Sequence, residues 1–186
     1  MDIQQIDRAA TTYINGLSGH FPFIDDLIAD LSIYGVYAIV IAVAMRWWMV
    51  GSGDKLRERH LALLCGLSAA LGLLMNQGIL LFVQRIRPYD AGVTHLLIAP
   101  SADPSFPSDH ATLVFAVAFA RLAAGARRGW IYLVAALAIA LSRVYVGIHY
   151  VSDIVGGSAT ALVAVVICVA FIPRDSVISR TLGRIL

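Results

Sequence analysis

At 186 residues, 59% hydrophobic and 14% charged, with mean hydropathy +0.79, the chain is too apolar to be a soluble domain. Its long apolar runs imply an integral membrane protein of one domain, residues 1–186. The net charge of +2 is too small to argue for nucleic acid, and no CxxC, HExxH or acidic calcium loop supports a metal or other cofactor.

Residues 1–17 place Ile3, Ile6, Ala10, Tyr13, Ile14 and Leu17 at helical spacing, with Asp2, Gln5, Arg8 and Asn15 elsewhere round the helix. That pattern predicts an amphipathic helix lying in the membrane interface. It has neither the basic start nor the long apolar centre of a cleaved signal peptide. Gly19 to Pro22 breaks it, and Pro22 with Asp25 and Asp26 suits the start of the next helix, where acids favour the positive end of the dipole.

Five apolar stretches follow, at 27–50, 60–83, 110–125, 129–147 and 153–172. Each is near the roughly 20 residues needed to cross a bilayer, though the third is short unless it begins among polar residues. The expected fold is an all-α membrane bundle of five transmembrane helices plus the interfacial helix. Arg46, Lys55, Arg57 and Arg59 follow the first span, Arg121, Arg127 and Arg128 the third, and Arg174, Arg180 and Arg184 the fifth. The cytoplasmic bias of Lys and Arg puts these connections inside. The amino terminus, the loop from Arg85 to His110 and the segment around His149 then face outward. Tyr89, Tyr145 and Tyr150 mark the outer edge, and Trp47 and Trp48 the inner one. Cys65 and Cys168 fall inside apolar runs as small hydrophobes, and Gly156 to Ala159 form a small-residue face suited to close helix packing.

Three outward stretches carry the polar chemistry. Gln84–Tyr89, QRIRPY, sets two arginines at an outer edge against the charge bias of the other loops. Snorkelling to lipid phosphates explains Arg85, whereas Arg87, extended before Pro88, suits a fixed guanidinium fork. Phe106–Ala111, FPSDHA, reads as a helix start whose free N–H groups favour an anion. For Pro107, Ser108 and Asp109 alone a capped membrane helix is the better account, but it does not explain His110, which enters an apolar span. Leu141–Gly157, LSRVYVGIHYVSDIVGG, puts His149 and Asp153 four apart, so on a helix they share a face. The carboxylate can hold one imidazole nitrogen and leave the other as a nucleophile or base. Arg143 reaches the same point only if the helix breaks near Gly147. Two arginines, a helix start and two histidines together suit phosphoryl transfer, which needs positioning and charge stabilisation above all.

Arg87-Pro88, Pro107-Ser108-Asp109-His110, and Ser142-Arg143 with His149 and Asp153 resemble the three signature motifs of the type-2 phosphatidic acid phosphatase superfamily. The resemblance spans residues 77–157. The family's first motif has a lysine where this chain has Leu80, a place that Arg85, Gln77 or Asn76 could fill, and Asp109 stands where many members have glycine. Within the superfamily the chain looks most like bacterial undecaprenyl-diphosphatases of the bacitracin-resistance type. The resemblance implies a metal-independent hydrolase of cell-wall biosynthesis in the bacterial cytoplasmic membrane. Its site would face outward, with the amino terminus outside and the carboxyl terminus cytoplasmic.

The roles carried over are His149 as nucleophile, Asp153 as its orienting carboxylate and His110 as acid and then base. Arg87, Arg143 and Ser108, with Arg85, would hold the phosphate. Asp109 is expected to face His110, a cap or solvent. No cofactor, metal or obligate protein partner is implied; the partners are the bilayer and a polyprenyl diphosphate or other phospholipid. Two alternatives stand beside this reading. One is a broad phosphatase for phosphatidic acid or phosphatidylglycerol phosphate. The other is a protein that binds or moves phospholipid headgroups without hydrolysing them.

Overall fold

A computed structural model describes residues 2–49, 51 and 55–172. The expected end of the first span at 50 and the arginines at 174, 180 and 184 lie outside the described residues. Six helices run through them: α1 (Ile3–Asn15), α2 (Pro22–Met49), α3 (Lys55–Leu80), α4 (Asp109–Ala123), α5 (Gly129–Tyr145) and α6 (Val151–Phe171). The protein is all-α as far as it is described. By length and composition α2, α3 and α6 can each cross a membrane; α5 is a shorter apolar helix.

The surface is apolar where a soluble protein would be polar. Leu27, Tyr34, Tyr37, Ile41 and Trp48 of α2 and Val155, Leu162 and Val166 of α6 are exposed, as expected of helices whose outer faces meet lipid. α4 is different. Its 15 residues span about 22 Å, short of a hydrocarbon core of about 30 Å. It is enclosed by α3, α5 and α6, with Ala111, Ala116, Ala118 and Ala120 fully buried. A helix covered by protein can end inside the bundle, because neighbouring elements satisfy its terminal backbone groups.

Small residues let α3 and α6 close on the start of α4. A Cβ at Gly72 would lie 2.8 Å from the Thr112 methyl, and one at Gly157 would lie 2.5 Å from the Ser108 carbonyl oxygen. A Cβ at Gly156 would strike the Phe106 ring at 2.4 Å. The glycines of α6 thus let the FPSD segment pack directly against that helix.

Between α5 and α6 the helix breaks, as Arg143 and His149 require. Gly147 has φ +83°, and a Cβ there would lie 2.2 Å from the His95 carbonyl oxygen, so both the turn and the packing require glycine. The long segment from Leu81 to Ser108 crosses this turn and is tied to it. Leu97 N–H donates to the Val146 carbonyl at 3.1 Å and the Thr94 hydroxyl donates to the Gly147 carbonyl at 2.8 Å.

α1 docks by its polar face. Asp7, Thr11 and Asn15, four apart, are buried, while Ile3, Ile6, Tyr13 and Leu17 are exposed. Asn15 donates to the carbonyls of His95 and Tyr145 and accepts from His95 N–H at 2.7 Å. Thr11 accepts from Val151 N–H at 3.1 Å. At the opposite end of the bundle, Glu58 of α3 accepts two bonds from Arg46 of α2 at 2.9 Å and one from Arg121 of α4 at 3.1 Å. These charges join the helices at a depth where an unpaired carboxylate would be costly.

Candidate active site

His149 lies in the turn before α6, 3% exposed. Its Nδ1 is 3.4 Å from Asp153 Oδ2, the i, i+4 pair read from the sequence, and its Nε2 is 3.5 Å from Arg87 Nη1. One ring nitrogen therefore faces a carboxylate and the other a guanidinium. Burial pushes the imidazole below its ordinary pKa, and the charges of Arg87 and Arg143 act the same way; the Asp153 carboxylate opposes them. The neutral ring is the favoured form, with Nδ1–H toward Asp153 and the Nε2 lone pair toward the arginines.

Asp153 is fully buried and its Oδ2 also accepts from the Tyr150 N–H at 2.8 Å and from the Ser105 hydroxyl at 2.5 Å. Its Oδ1 accepts from Arg85 Nη1 at 2.6 Å. The second arm of the Arg85 guanidinium reaches Asp7 Oδ2 at 2.6 Å, and its plane lies over the Tyr150 ring at 3.8 Å. Arg85 was expected to hold substrate phosphate; the structure instead commits it to two carboxylates and an aromatic face. Ser152 closes the cluster, with its N–H and hydroxyl both donating to Asp7. Burial alone would raise the Asp7 pKa, but the hydrogen bonds from Ser152 and Arg85 outweigh it, and the carboxyl titrates below its ordinary value.

Arg87 is buried within the segment that follows it. Nε donates to the Asp103 carbonyl at 2.7 Å, Nη1 to the Ile148 carbonyl at 3.0 Å and Nη2 to the Ser101 hydroxyl at 3.1 Å. Burial lowers its pKa, while Tyr89, Asp153, Asp103 and Asp90 counter the effect, so it stays cationic. Arg143 comes from the last turn of α5 and donates through Nη1 to the Ser32 hydroxyl and carbonyl at 2.9 and 3.1 Å. Its buried Nε has no partner among the described residues. Arg87 and Arg143 feel each other's charge, and His110 at the start of α4 feels both arginines and His149. The three distant segments thus meet.

Ser108 caps α4, its hydroxyl accepting from Ala111 N–H at 3.4 Å, and its own N–H donates to the Asp153 carbonyl at 3.1 Å. The Phe106–Pro107 bond that precedes it is cis. Ser108 ties α4 to α6 and leaves its hydroxyl proton available as a donor. Asp109 was expected to face His110, a cap or solvent; it is exposed and accepts from Asn76 Nδ2 at 2.7 Å. Asn76 also donates to Thr112 at 2.9 Å, and Gln77 is exposed. Leu80 ends α3.

Sequence reasoning missed Asp7, Ser32, Ser101 and Ser105. Asp7 sits among other polar residues of an amphipathic helix, and serines in a loop or on an apolar helix carry no periodic signal. Chemically, the cluster has a buried neutral imidazole held by an anion, the Arg87 guanidinium 3.5 Å from its other nitrogen, the charge of Arg143 acting on the same ring, and a second histidine at a helix start whose leading N–H groups lack intrahelical partners. It can receive and transfer a phosphoryl group. Among the described residues no group of three His, Cys, Asp or Glu side chains could hold a metal ion.

Residues 61–176 match the PAP2 superfamily. The chain is 32% identical over 150 residues to Undecaprenyl-diphosphatase BcrC of Bacillus subtilis (strain 168), covering 81% of this chain and 76% of that one. It is 24% identical over 184 residues to a protein named Bacitracin transport permease protein BcrC from Bacillus licheniformis, covering 98% and 89%. Among solved structures, a transmembrane PAP2-type phosphatidylglycerolphosphate phosphatase from Bacillus subtilis superposes with a TM-score of 0.66 at 22% identity, covering 94% of this chain and 88% of that one. The shared fold and the long apolar helices make this an integral membrane protein with several transmembrane helices.

Proposed function

Because the chain belongs to the PAP2 superfamily, we propose that it is a membrane lipid phosphatase that hydrolyses undecaprenyl diphosphate to undecaprenyl phosphate. The observation that carries the reading is the placement of His149, with Nδ1 toward Asp153 and Nε2 toward Arg87. The Nε2 lone pair attacks the terminal phosphorus, and the bond to the bridging oxygen breaks. Undecaprenyl phosphate leaves with that electron pair and, where needed, a proton from His110. Water then attacks the phosphohistidine while His110 takes its proton, releasing orthophosphate and restoring His149. Arg87, Arg143 and the Ser108 hydroxyl hold the phosphoryl oxygens. Arg85, Asp7 and Ser105 act at one remove, fixing the Asp153 carboxylate that sets the His149 ring.

In this reading α2 to α6 form a five-helix membrane bundle, with the short α4 enclosed by its neighbours. The His149 end faces outward from a bacterial cytoplasmic membrane, because Arg46, Lys55, Arg57, Arg121, Arg127 and Arg128 gather at the other end. A second reading, headgroup transport without hydrolysis, is favoured by the name of the Bacillus licheniformis relative. Transport has no use for a His–Asp pair beside two arginines.

Purified protein assayed with a chelating agent separates the readings. Phosphate release from undecaprenyl diphosphate, faster than from phosphatidic acid, supports the diphosphatase. Faster release from phosphatidic acid supports the broad phosphatase, and none from either lipid supports transport.

A further inference from the structure

The end of the bundle opposite His149 carries a second basic centre that the reaction does not use. There α2 and α5 part to leave a groove of ≈ 1120 Å³ walled by Leu31, Ala38, Ala42, Ile131, Ala135 and Ala138. Along α2 it runs from Leu31 to Arg46, roughly fifteen residues or about 22 Å, longer than the roughly 15 Å of half a hydrocarbon core. Its mouth is lined by Arg46, Arg57, Arg121, Arg127 and Arg128, with Glu58 the one acid among the lining residues.

Arg121 is the unusual member. Its side chain is 3% exposed, its Nη2 donates to Glu58 at 3.1 Å and its guanidinium lies 4.5 Å from the Tyr132 ring centre. Its Nε and Nη1 are buried without an acceptor among the described residues. A guanidinium with two buried nitrogens unsatisfied is costly in an apolar setting, and an anionic oxygen entering the groove would relieve it. Basic residues at a membrane edge are ordinary, and Arg127 and Arg128 alone would need no ligand. Arg121, enclosed and only partly paired, is not explained that way.

We propose that the groove between α2 and α5 binds one anionic phospholipid from the leaflet on that side, with an acyl chain along the apolar walls and the phosphate near Arg121, Arg127 and Arg128. Charge selects the occupant. A zwitterionic lipid brings its own cation among five arginines, and a free anion would leave the apolar walls uncovered.

The test is native mass spectrometry of the purified full chain with phosphatidylglycerol or phosphatidylcholine of matched acyl chains, in saturating orthophosphate to fill the His149 pocket. The expected result is retention of phosphatidylglycerol over phosphatidylcholine by at least about fivefold, roughly one arginine's attraction to an anionic lipid. Arg127→Gln with Arg128→Gln should lower that ratio, with Arg121 holding what remains. Ala135→Phe, which fills the groove without touching a charge, should lower phosphatidylglycerol retention on its own. Equal retention of both lipids by the parent overturns the proposal, as does a preference that neither variant lowers. The readout needs no turnover, so it stands apart from the fate of the phosphatase reading.

Discussion

Four donors converge on the two oxygens of Asp153: Arg85, Ser105, the Tyr150 N–H and His149 Nδ1. A carboxylate held this way cannot turn, so the imidazole it supports has one orientation. Arg85→Ala should therefore lower kcat by about 10- to 100-fold, the value of one charge-assisted bond, with little change in KM because both arms of the guanidinium are held by Asp153 and Asp7. A large rise in KM at unchanged kcat would return Arg85 to phosphate binding. The pH profile carries a sign as well. The nucleophile must be neutral and its pKa is lowered by burial, so the acid limb of kcat/KM should lie below about 6.5, the ordinary imidazole value. Asp153 opposes that shift, so Asp153→Asn should move the limb further down while the rate falls. A limb that moves upward would contradict the assignment.

At the scale of elements, the most informative are those whose burial is opposite to their composition. The amphipathic pattern of α1 is plain in the sequence, but a periodic stripe does not say which face meets protein. Here the polar face, Asp7, Thr11 and Asn15, docks on the active-site loops, and the apolar face is turned outward. Asp7→Asn should reduce kcat while leaving the protein folded, and Asp7→Asn with Arg85→Ala should cost little more than Arg85→Ala alone, because both act on one carboxylate. Fully additive losses, measured as kcat, would show that the two act separately. Gly147 is the second such element. Ala there meets both a positive φ and the His95 carbonyl, so Gly147→Ala should destabilise the fold by at least about 1–2 kcal/mol, read by thermal unfolding in detergent. The sequence made the break at Gly147, the start of α4 and the His149–Asp153 pair legible, because each rests on local spacing. The partners of Arg85 and Arg87 were not legible. They come from loops, from α1 and from the start of α6, and no periodicity reports on such tertiary neighbours.

For the molecule as a whole, the two ends of the bundle divide the chemistry. One end gathers Arg87, His110, Arg143 and His149 from three separate segments, and the other gathers a basic cluster around Glu58. The short α4 is what joins them, running enclosed from Ser108 at one end to Arg121 at the other. The leaving group then decides how much His110 matters. A lipid phosphate leaves far more readily than an alkoxide, so His110→Ala should lose less activity on undecaprenyl diphosphate than on phosphatidic acid. Equal losses would remove that argument. The most direct measurement of the central claim is a rapid alkaline quench of the purified protein with undecaprenyl diphosphate labelled in its terminal phosphate, followed by mass spectrometry of the labelled peptide. The account predicts label on His149 and none in His149→Ala. Label retained by that variant, or turnover in the parent with no label on His149, would contradict it.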